Sequence, residues 1–117
     1  MTGYLTTHVL DTAKGMPAAG LCIDLFKLDG DARKKVSHMF TNTDGRTDQH
    51  ILTRDLFENG NYELNFHAGQ YFAQENRKLK AKLFFDIIPI RFSMHDNSHY
   101  HVPLLLSPFG YSTYRGS

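Results

Sequence analysis

The sequence ends in the stretch that decides its fold, HYHVPLLLSPFGYSTYRGS, which occupies residues 99–117. The first part has the pattern of a strand, Ser107 to Gly110 have the composition of a tight turn, and the residues after the turn are aromatic or β-branched. The stretch therefore predicts a hairpin of two antiparallel strands. A tight hairpin brings Ser117 and the α-carboxylate back beside the imidazoles of His99 and His101.

Alternation of polar and apolar residues predicts further short strands before this hairpin. They lie at residues 4–10, 21–28, 36–43, 62–66 and 84–94, with 50–53 as a further short candidate. The other segments are a loop at 11–20, a charged connection at 29–35 and one short helix from Gln70 to about Lys78. Seven or eight short strands with turn signals between them predict an all-β sandwich, formed by a single domain over residues 1–117.

Two of these strands carry more specific expectations. Leu21, Ile23 and Leu25 alternate with polar or smaller residues, which predicts a face buried in the core. The segment 84–94 is the longest predicted strand. Because Pro89 has no N–H to donate to a neighbour, we expect this strand at an edge or a bulge of its sheet.

Composition limits the classes of function. The formal net charge is +1 with mixed signs, so no basic surface for nucleic acid is expected, and Arg33-Lys34-Lys35 is interpreted as a solvated turn. The single cysteine, Cys22, excludes an internal disulfide and fits a reducing compartment. No apolar run reaches the roughly 18 to 20 residues of a membrane span, and neither a signal peptide nor a C-terminal Ser-Lys-Leu is present. We therefore expect a cytoplasmic protein.

A few polar residues suggest chemistry. His99 and His101 are two positions apart, so both point to one face of a strand, which suits two metal ligands as well as two catalytic groups. Arg46 directly follows the tight-turn signal of residues 42–45, so we expect its position to be fixed. Taken alone, each of these residues, and His8 in the first strand, also fits an ordinary structural or surface role.

Five segments of the chain match the motifs of one known family: Leu5–Asp11, Gly15–Ala19, Thr43–Arg46, Tyr100–Pro108 and Gly110–Ser117. Together they resemble the 5-hydroxyisourate hydrolases, the transthyretin-related enzymes of urate breakdown. The resemblance covers essentially the whole chain, and the Tyr-Arg-Gly-Ser ending distinguishes these enzymes from the transthyretins proper. It implies a transthyretin-like sandwich of two four-stranded sheets, with a short helix after the fifth strand and no cofactor.

Position by position, the resemblance implies that His8, Arg46, His101 and Ser117 form the catalytic set. The reaction would be hydrolysis of the cyclic amide of 5-hydroxyisourate to 2-oxo-4-hydroxy-4-carboxy-5-ureidoimidazoline. We assign His101 as the general base and His8 as its partner, because a neutral imidazole exchanges protons near working pH. Arg46 is expected to bind and polarise the substrate, since its planar fork of donors matches paired oxygens on a flat ring.

Three further residues complete this hypothesis. Ser117 offers a hydroxyl and a carboxylate that orient an imidazole or contact the substrate, and it is not expected to be an acyl nucleophile. Tyr114 is expected to bind substrate as well. His99 is expected to contact the catalytic histidines without binding the substrate itself. Which histidine is the base, their protonation states and the face used by the last strand remain open, because one residue of register flips that face.

The resemblance also implies a homotetramer, a dimer of dimers with active sites between the dimers. The apolar strand from Pro103 to Leu106 would then pack on a partner chain. Two other functions remain as alternatives. One is a zinc hydrolase with His8, His99 and His101 as ligands, and the other is a transthyretin-like module that binds a small molecule in an apolar channel.

Overall fold

The structure is a computed structural model that describes residues 3–76 and 82–117. In this part of the chain eight strands and one helix form two four-stranded sheets, with strand orders β2-β1-β7-β8 and β4-β3-β5-β6. The predicted sandwich is confirmed. The elements are β1 (Tyr4–Asp11), β2 (Met16–Pro17), β3 (Cys22–Asp29), β4 (Ala32–Phe40), β5 (Gly60–His67), α1 (Ala68–Glu75), β6 (Ile87–Met94), β7 (His99–Ser107) and β8 (Gly110–Thr113).

The predicted C-terminal hairpin forms, and it sets the position of the chain's end. β7 and β8 pair antiparallel around the turn, with Leu104 opposite Thr113 and Ser107 opposite Gly110. The same register reaches beyond β8 to an isolated bridge between Gly116 and His101. The last residues therefore return to the start of β7, as the sequence predicts.

The core lies between the two sheets and is built by alternation along the strands. The side chains at its centre have an exposed fraction of 0%. Full burial of a leucine, isoleucine, valine or phenylalanine side chain contributes about 1.5–3 kcal/mol to stability. The predicted inward face of residues 21–25 is confirmed. The fully buried side chains include Leu5, Val9, Leu21, Ile23, Leu25, Leu64, Phe66, Leu104 and Leu106.

The core corrects one expectation about the apolar strand from Pro103 to Leu106. Leu104 and Leu106 belong to the chain's own core, because alternate residues of a strand point to opposite faces. Only Pro103 and Leu105 of this segment lie on the outer face of the sheet, and of these two only Leu105 is partly exposed, where a partner chain could contact it.

The start of β4 differs from the prediction of a charged connection over residues 29–35. Asp29 pairs with Ala32, so residues 30 and 31 alone form the turn and β4 begins four residues earlier than predicted. Gly30 has a φ of +60°, which permits this two-residue turn. Arg33, Lys34 and Lys35 are exposed in a strand and not in a turn. β4 is an edge strand, where charged side chains are tolerated.

Other element boundaries were also wrong by a few residues. β6 starts at Ile87, which leaves it eight residues long and shorter than β4 and β7. The carbonyl of Asp86 accepts a hydrogen bond from the Gly69 N–H at the start of α1. This carbonyl is therefore paired with the helix and not with a neighbouring strand. The predicted place of Pro89 is confirmed, because β6 is an edge strand that, among the described residues, pairs only with β5.

The remaining differences concern loops and the helix. The loop at 11–20 contains the short strand β2, the predicted strand at 36–43 ends at Phe40, and the candidate strand at 50–53 is a single bridge between Leu52 and Leu5. α1 covers residues 68–75, and the predicted helical positions 77 and 78 lie outside the described residues. Within the described residues, no helix is long and apolar enough to cross a membrane.

Candidate functional site

Two neighbouring strands place the predicted histidines on the outer face of the first sheet. β1 and β7 run parallel, with Tyr4 opposite His99 and Thr6 opposite His101. Because Leu5, Thr7 and Val9 point into the core, the alternate residues of β1 point outward. His8 therefore lies on the same face as the two histidines of β7.

A row of hydrogen bonds joins these side chains, and we call it the histidine row: His99, Thr6, His101 and His8. Thr6 Oγ1 lies 2.6 Å from His99 Nε2 and 2.7 Å from His101 Nδ1. The other ring nitrogen of His101, Nε2, lies 3.0 Å from His8 Nδ1. Both nitrogens of His101 thus have partners inside the chain. Sequence reasoning found the three histidines but missed Thr6, whose only sequence signal is its place two residues before His8.

The threonine hydroxyl couples the tautomers of the histidine row. A hydroxyl has one proton, so Thr6 donates to one imidazole and accepts from the other. If Thr6 donates to His101 Nδ1, then His101 donates from Nε2 to His8. In the opposite arrangement His8 donates to His101, and Thr6 donates to His99. Shifting every proton by one bond interconverts the two arrangements, which is the property of a proton relay.

The electrostatics keep the histidine row neutral. Burial and the nearby positive charges of His8 and Arg46 lower the pKa of His101 to about 4. Burial, and then Arg46, lowers the pKa of His8 below its ordinary 6.5. The pKa of His99 is lowered by burial and by the charges of His50 and Arg54. At neutral pH all three rings are therefore uncharged and able to accept a proton.

The turn before Arg46 holds that residue beside His8. The side-chain oxygen of Asn42 accepts hydrogen bonds from the backbone N–H groups of Asp44 and Arg46, at 2.9 and 3.2 Å. Arg46 then forms an isolated bridge with His8, and Val9 N–H donates to the Gly45 carbonyl at 2.8 Å. The prediction that a turn fixes Arg46 is confirmed.

The chain's end packs directly on His101. The Gly116 N–H donates to the His101 carbonyl at 2.7 Å, and a Cβ on Gly116 would lie 2.6 Å from His101 Cδ2. Only glycine fits here without moving the imidazole. Ser117 follows and is exposed, while the Arg115 guanidinium lies 4.3 Å from the centre of the Tyr100 ring.

Tyr114 is not brought to the histidine row within the single chain. It lines a separate hollow of about 270 Å³ together with residues of β6 and β7, among them Phe92, Tyr100 and Val102. No residue of the histidine row lines that hollow. The row itself lies on an open sheet face, so one chain by itself does not enclose a substrate there.

An aromatic stack extends the site at the start of β1, and the sequence interpretation missed it. The Tyr4 ring lies between the rings of His99, with centroids 4.1 Å apart, and His50, with centroids 4.5 Å apart. The Arg54 guanidinium lies 4.4 Å from the Tyr4 ring centre. Alternation places Tyr4 on the face of His8, but the loop residues His50 and Arg54 have no periodicity that predicts this contact.

Comparisons with known proteins agree with the geometry. The model of the HIUase/Transthyretin family matches residues 5–116. A relative from Rhizobium meliloti (strain 1021), 5-hydroxyisourate hydrolase 2, is 56% identical over 117 residues, which cover 99% of this chain and 98% of that protein.

Two solved structures show the same fold. Klebsiella pneumoniae 5-hydroxyisourate hydrolase has a TM-score of 0.79 and 32% identity, covering 98% of this chain and 100% of that chain. Sea bream transthyretin in complex with thyroxine has a TM-score of 0.84 and 25% identity, covering 96% and 93% of the two chains.

We expect Gly45→Ala to lower the free energy of unfolding more than Gly30→Ala does. Both glycines have a positive φ, +73° and +60°, which costs alanine about 1–2 kcal/mol in either place. At Gly45 a Cβ would also overlap the Val9 carbonyl oxygen, whereas Gly30 has no atom within 4 Å of that position. Urea denaturation of the two variants and the wild type measures the difference. Equal losses would contradict a tightly fixed turn before Arg46.

Proposed function

The chain belongs to the HIUase/Transthyretin family, and we propose that it hydrolyses 5-hydroxyisourate to 2-oxo-4-hydroxy-4-carboxy-5-ureidoimidazoline in urate breakdown. The observation that carries this proposal is the row of neutral imidazoles beside Arg46 on one face of the first sheet. The similarity to 5-hydroxyisourate hydrolases over nearly the full chain identifies the substrate.

The geometry favours His8 as the group that takes the proton from water, which reverses the division of roles expected from the sequence. His101 is 8% exposed and both of its nitrogens are occupied, by Thr6 and by His8. His8 is half-buried, and among the described residues its Nε2 has no hydrogen-bond partner. Water bound at His8 Nε2 attacks the carbonyl carbon of the cyclic amide and gives its proton to that nitrogen.

The rest of the histidine row supports this proton transfer. When His8 gains a proton at Nε2, its Nδ1 proton can pass to His101, and the shift can continue through Thr6 to His99. The positive charge is thereby spread over several rings. The carbon–nitrogen bond of the amide then breaks, and the proton returns from His8 to the leaving nitrogen, which yields the carboxylate and the ureido group of the product.

Arg46 and Ser117 act on the substrate in this proposal. Arg46 is exposed beside His8, where its guanidinium can donate to the carbonyl oxygen as negative charge develops on it. Ser117 lies one residue beyond the contact of Gly116 with His101, so its hydroxyl and carboxylate can orient the imidazole or bind the ring. Tyr114 would contact substrate only in a site that a second chain completes.

We further propose a homotetramer of single-domain chains, built as a dimer of dimers. The core draws on both sheets, which supports one domain over residues 1–117. The open face carrying the histidine row also carries the partly exposed Leu105, and a second chain packed there would enclose the substrate. A cytoplasmic location is part of the proposal and is supported by the single free cysteine.

The linear arrangement of the histidine row does not favour a zinc site with His8, His99 and His101 as ligands. Thr6 stands between His99 and His101, and the second nitrogen of His101 faces His8. The rings are joined in a line and not gathered around one point, as ligands of one ion would be.

The proposed activity is tested by following the ultraviolet absorbance of 5-hydroxyisourate that is generated in situ from urate. Because the compound decays by itself, the trace without protein is the control. We expect faster decay with the wild type in metal-free buffer, and a rate reduced roughly 10²- to 10⁴-fold by His8→Gly or His101→Gly. Decay at the blank rate by the assembled wild-type protein would overturn the proposal and leave the small-molecule binding module to be tested.

Free imidazole distinguishes the two histidines in this assay. It should restore part of the activity of His8→Gly, whose position is open to water, and little of His101→Gly, which is buried under Gly116. Rescue of only the His101 variant would assign proton abstraction to that residue.

We expect Thr6→Val to lower kcat roughly tenfold to a hundredfold with little change in KM, because His101 loses the group that orients its ring. Thr6→Ser keeps the hydroxyl and should retain most of the activity. Equal losses in the serine and valine variants would show that the hydroxyl has no such role.

For the wild type, kcat/KM should fall at acid pH with a midpoint below pH 6.5. The reason is that the pKa values of His8 and His101 are both lowered and the base is active when neutral.

A C-terminal tag should reduce activity sharply, by roughly tenfold or more, while the same tag at the N-terminus should have little effect. The reason is that residues added after Ser117 emerge next to His101, where Gly116 is held by its backbone hydrogen bond. Equal activity of the two tagged proteins would show that the C-terminal residues do not contribute to activity.

Sedimentation analysis tests the assembly. We expect a tetramer, and we expect a charge on the open face, as in Leu105→Glu, to dissociate it and abolish turnover together. The exposed Leu56→Glu is the control, because it introduces the same charge on another surface. A monodisperse monomer with full activity would contradict the proposed shared site.

A further inference from the structure

The outer face of the second sheet carries a separate cluster of polar side chains that the proposed reaction does not use. Cys22 and Asp24 come from β3, His38 from β4 and His67 from the end of β5. We call these four residues the Asp24 cluster. Thiolate, carboxylate and imidazole are all groups that bind zinc in proteins.

Asp24 is the centre of this cluster and is 6% exposed. Its Oδ1 lies 2.5 Å from His38 Nδ1, and its Oδ2 lies 2.8 Å from His67 Nε2. Cys22 Sγ lies 3.7 Å from His38 Nδ1. One donor atom from each of Cys22, Asp24 and His67 lies within 4.8 Å of the others. Donor atoms of Cys22, Asp24 and His67 therefore already converge, and His38 contacts Asp24 and Cys22 from the neighbouring strand.

These separations are close to what a metal ion requires. Around tetrahedral zinc, a sulfur at about 2.3 Å and a nitrogen at about 2.0 Å lie about 3.5 Å from each other. The distance between Cys22 Sγ and His38 Nδ1 agrees with that value. The distance between Asp24 Oδ1 and His38 Nδ1 is shorter, because the two atoms share a hydrogen bond. A bound ion would replace the shared proton and increase the distance between these atoms by about 1 Å.

A buried acceptor beside the cluster lacks a partner. Asn65 pairs with Asp24 in the register of β3 and β5, and it alternates with His67 on the same face. Asn65 is 8% exposed, and within the described part of the chain its Oδ1 has no hydrogen-bond partner. Buried oxygens seldom stay unpaired, so Asn65 Oδ1 indicates a further donor, such as an ordered water, at the edge of the Asp24 cluster.

The groups of the cluster are also suited to a cation. The Asp24 carboxylate lies between His38 and His67, which both contact its oxygens. A thiol binds a metal ion as thiolate, so a bound ion would displace the Cys22 proton. Lys35 lies 3.8 Å from Asp24 Oδ1, but its side chain is about half exposed and can turn into solvent.

We propose that Cys22, Asp24 and His67, with His38 as the fourth ligand, form a binding site for a divalent ion of the zinc class. The ion would join β3, β4 and β5 next to the start of α1, and it would act as a structural clamp with all four positions filled by protein. This site lies on the opposite sheet from the histidine row, so it neither depends on the proposed hydrolase function nor takes part in it.

Cobalt(II) titration of metal-free protein tests the site, because the absorption spectrum of the bound ion depends on its ligands and their geometry. We expect the strong visible bands of a tetrahedral centre and a near-ultraviolet charge-transfer band from the Cys22 thiolate. Zinc should displace the cobalt at one equivalent per chain. Cys22→Ser should abolish the charge-transfer band, and His67→Gln should weaken binding roughly a hundredfold or more. Lys35→Ala should tighten binding, because it removes a competing cation.

His101→Gly serves as the matched control, since it removes a histidine of the other sheet and should leave the cobalt spectrum unchanged. Zinc should also raise the Tm of the wild type but not of His67→Gln, with circular dichroism verifying that each variant is folded. A wild-type spectrum without the thiolate band would overturn the proposal and leave the cluster as a hydrogen-bonded His–Asp–His group. Binding that disappears in His101→Gly but persists in Cys22→Ser would overturn it as well, because the metal would then be at the histidine row.

Discussion

The parallel pairing of β1 with β7 is the interaction on which the candidate site depends. Thr6 lies opposite His101 in this register, and alternation then puts the histidine row on one face and Leu5 and Val9, both with 0% exposure, on the other. Slipping β1 by one residue would turn His8 inward and expose these apolar side chains. The free energy gained by burying the core therefore also fixes the geometry of the site.

Burial determines the chemistry of the row as well as its shape. A ring as buried as His101 needs a partner for each nitrogen, and Thr6 and His8 provide them. The same two contacts fix the orientation of the ring. Burial, and then the positive charges of His8 and Arg46, lower the pKa of His101, so this imidazole stays neutral, and a neutral imidazole is what proton abstraction from water requires.

The second sheet uses the same type of side chain in the opposite electrostatic setting. His38 and His67 contact the ionised carboxylate of Asp24, and a thiol completes their surroundings. Burial and cationic neighbours keep the histidines of the row neutral, whereas a buried carboxylate beside a thiol suits histidines that bind a metal ion. The neighbours, and not the imidazoles themselves, separate the two sites.

The sequence by itself determined most of the strands, the closing hairpin and the turn that holds Arg46, because period-two alternation and glycine turns are local properties. Motif resemblance added His8, Arg46, His101 and Ser117 as the proposed catalytic set. It did not indicate Thr6 as the link within the row, nor the Asp24 cluster, nor the early start of β4. Those features depend on which strands become neighbours. Thr6 and His101 are 95 residues apart in the chain, and only the pairing of β1 with β7 brings the hydroxyl between two imidazoles.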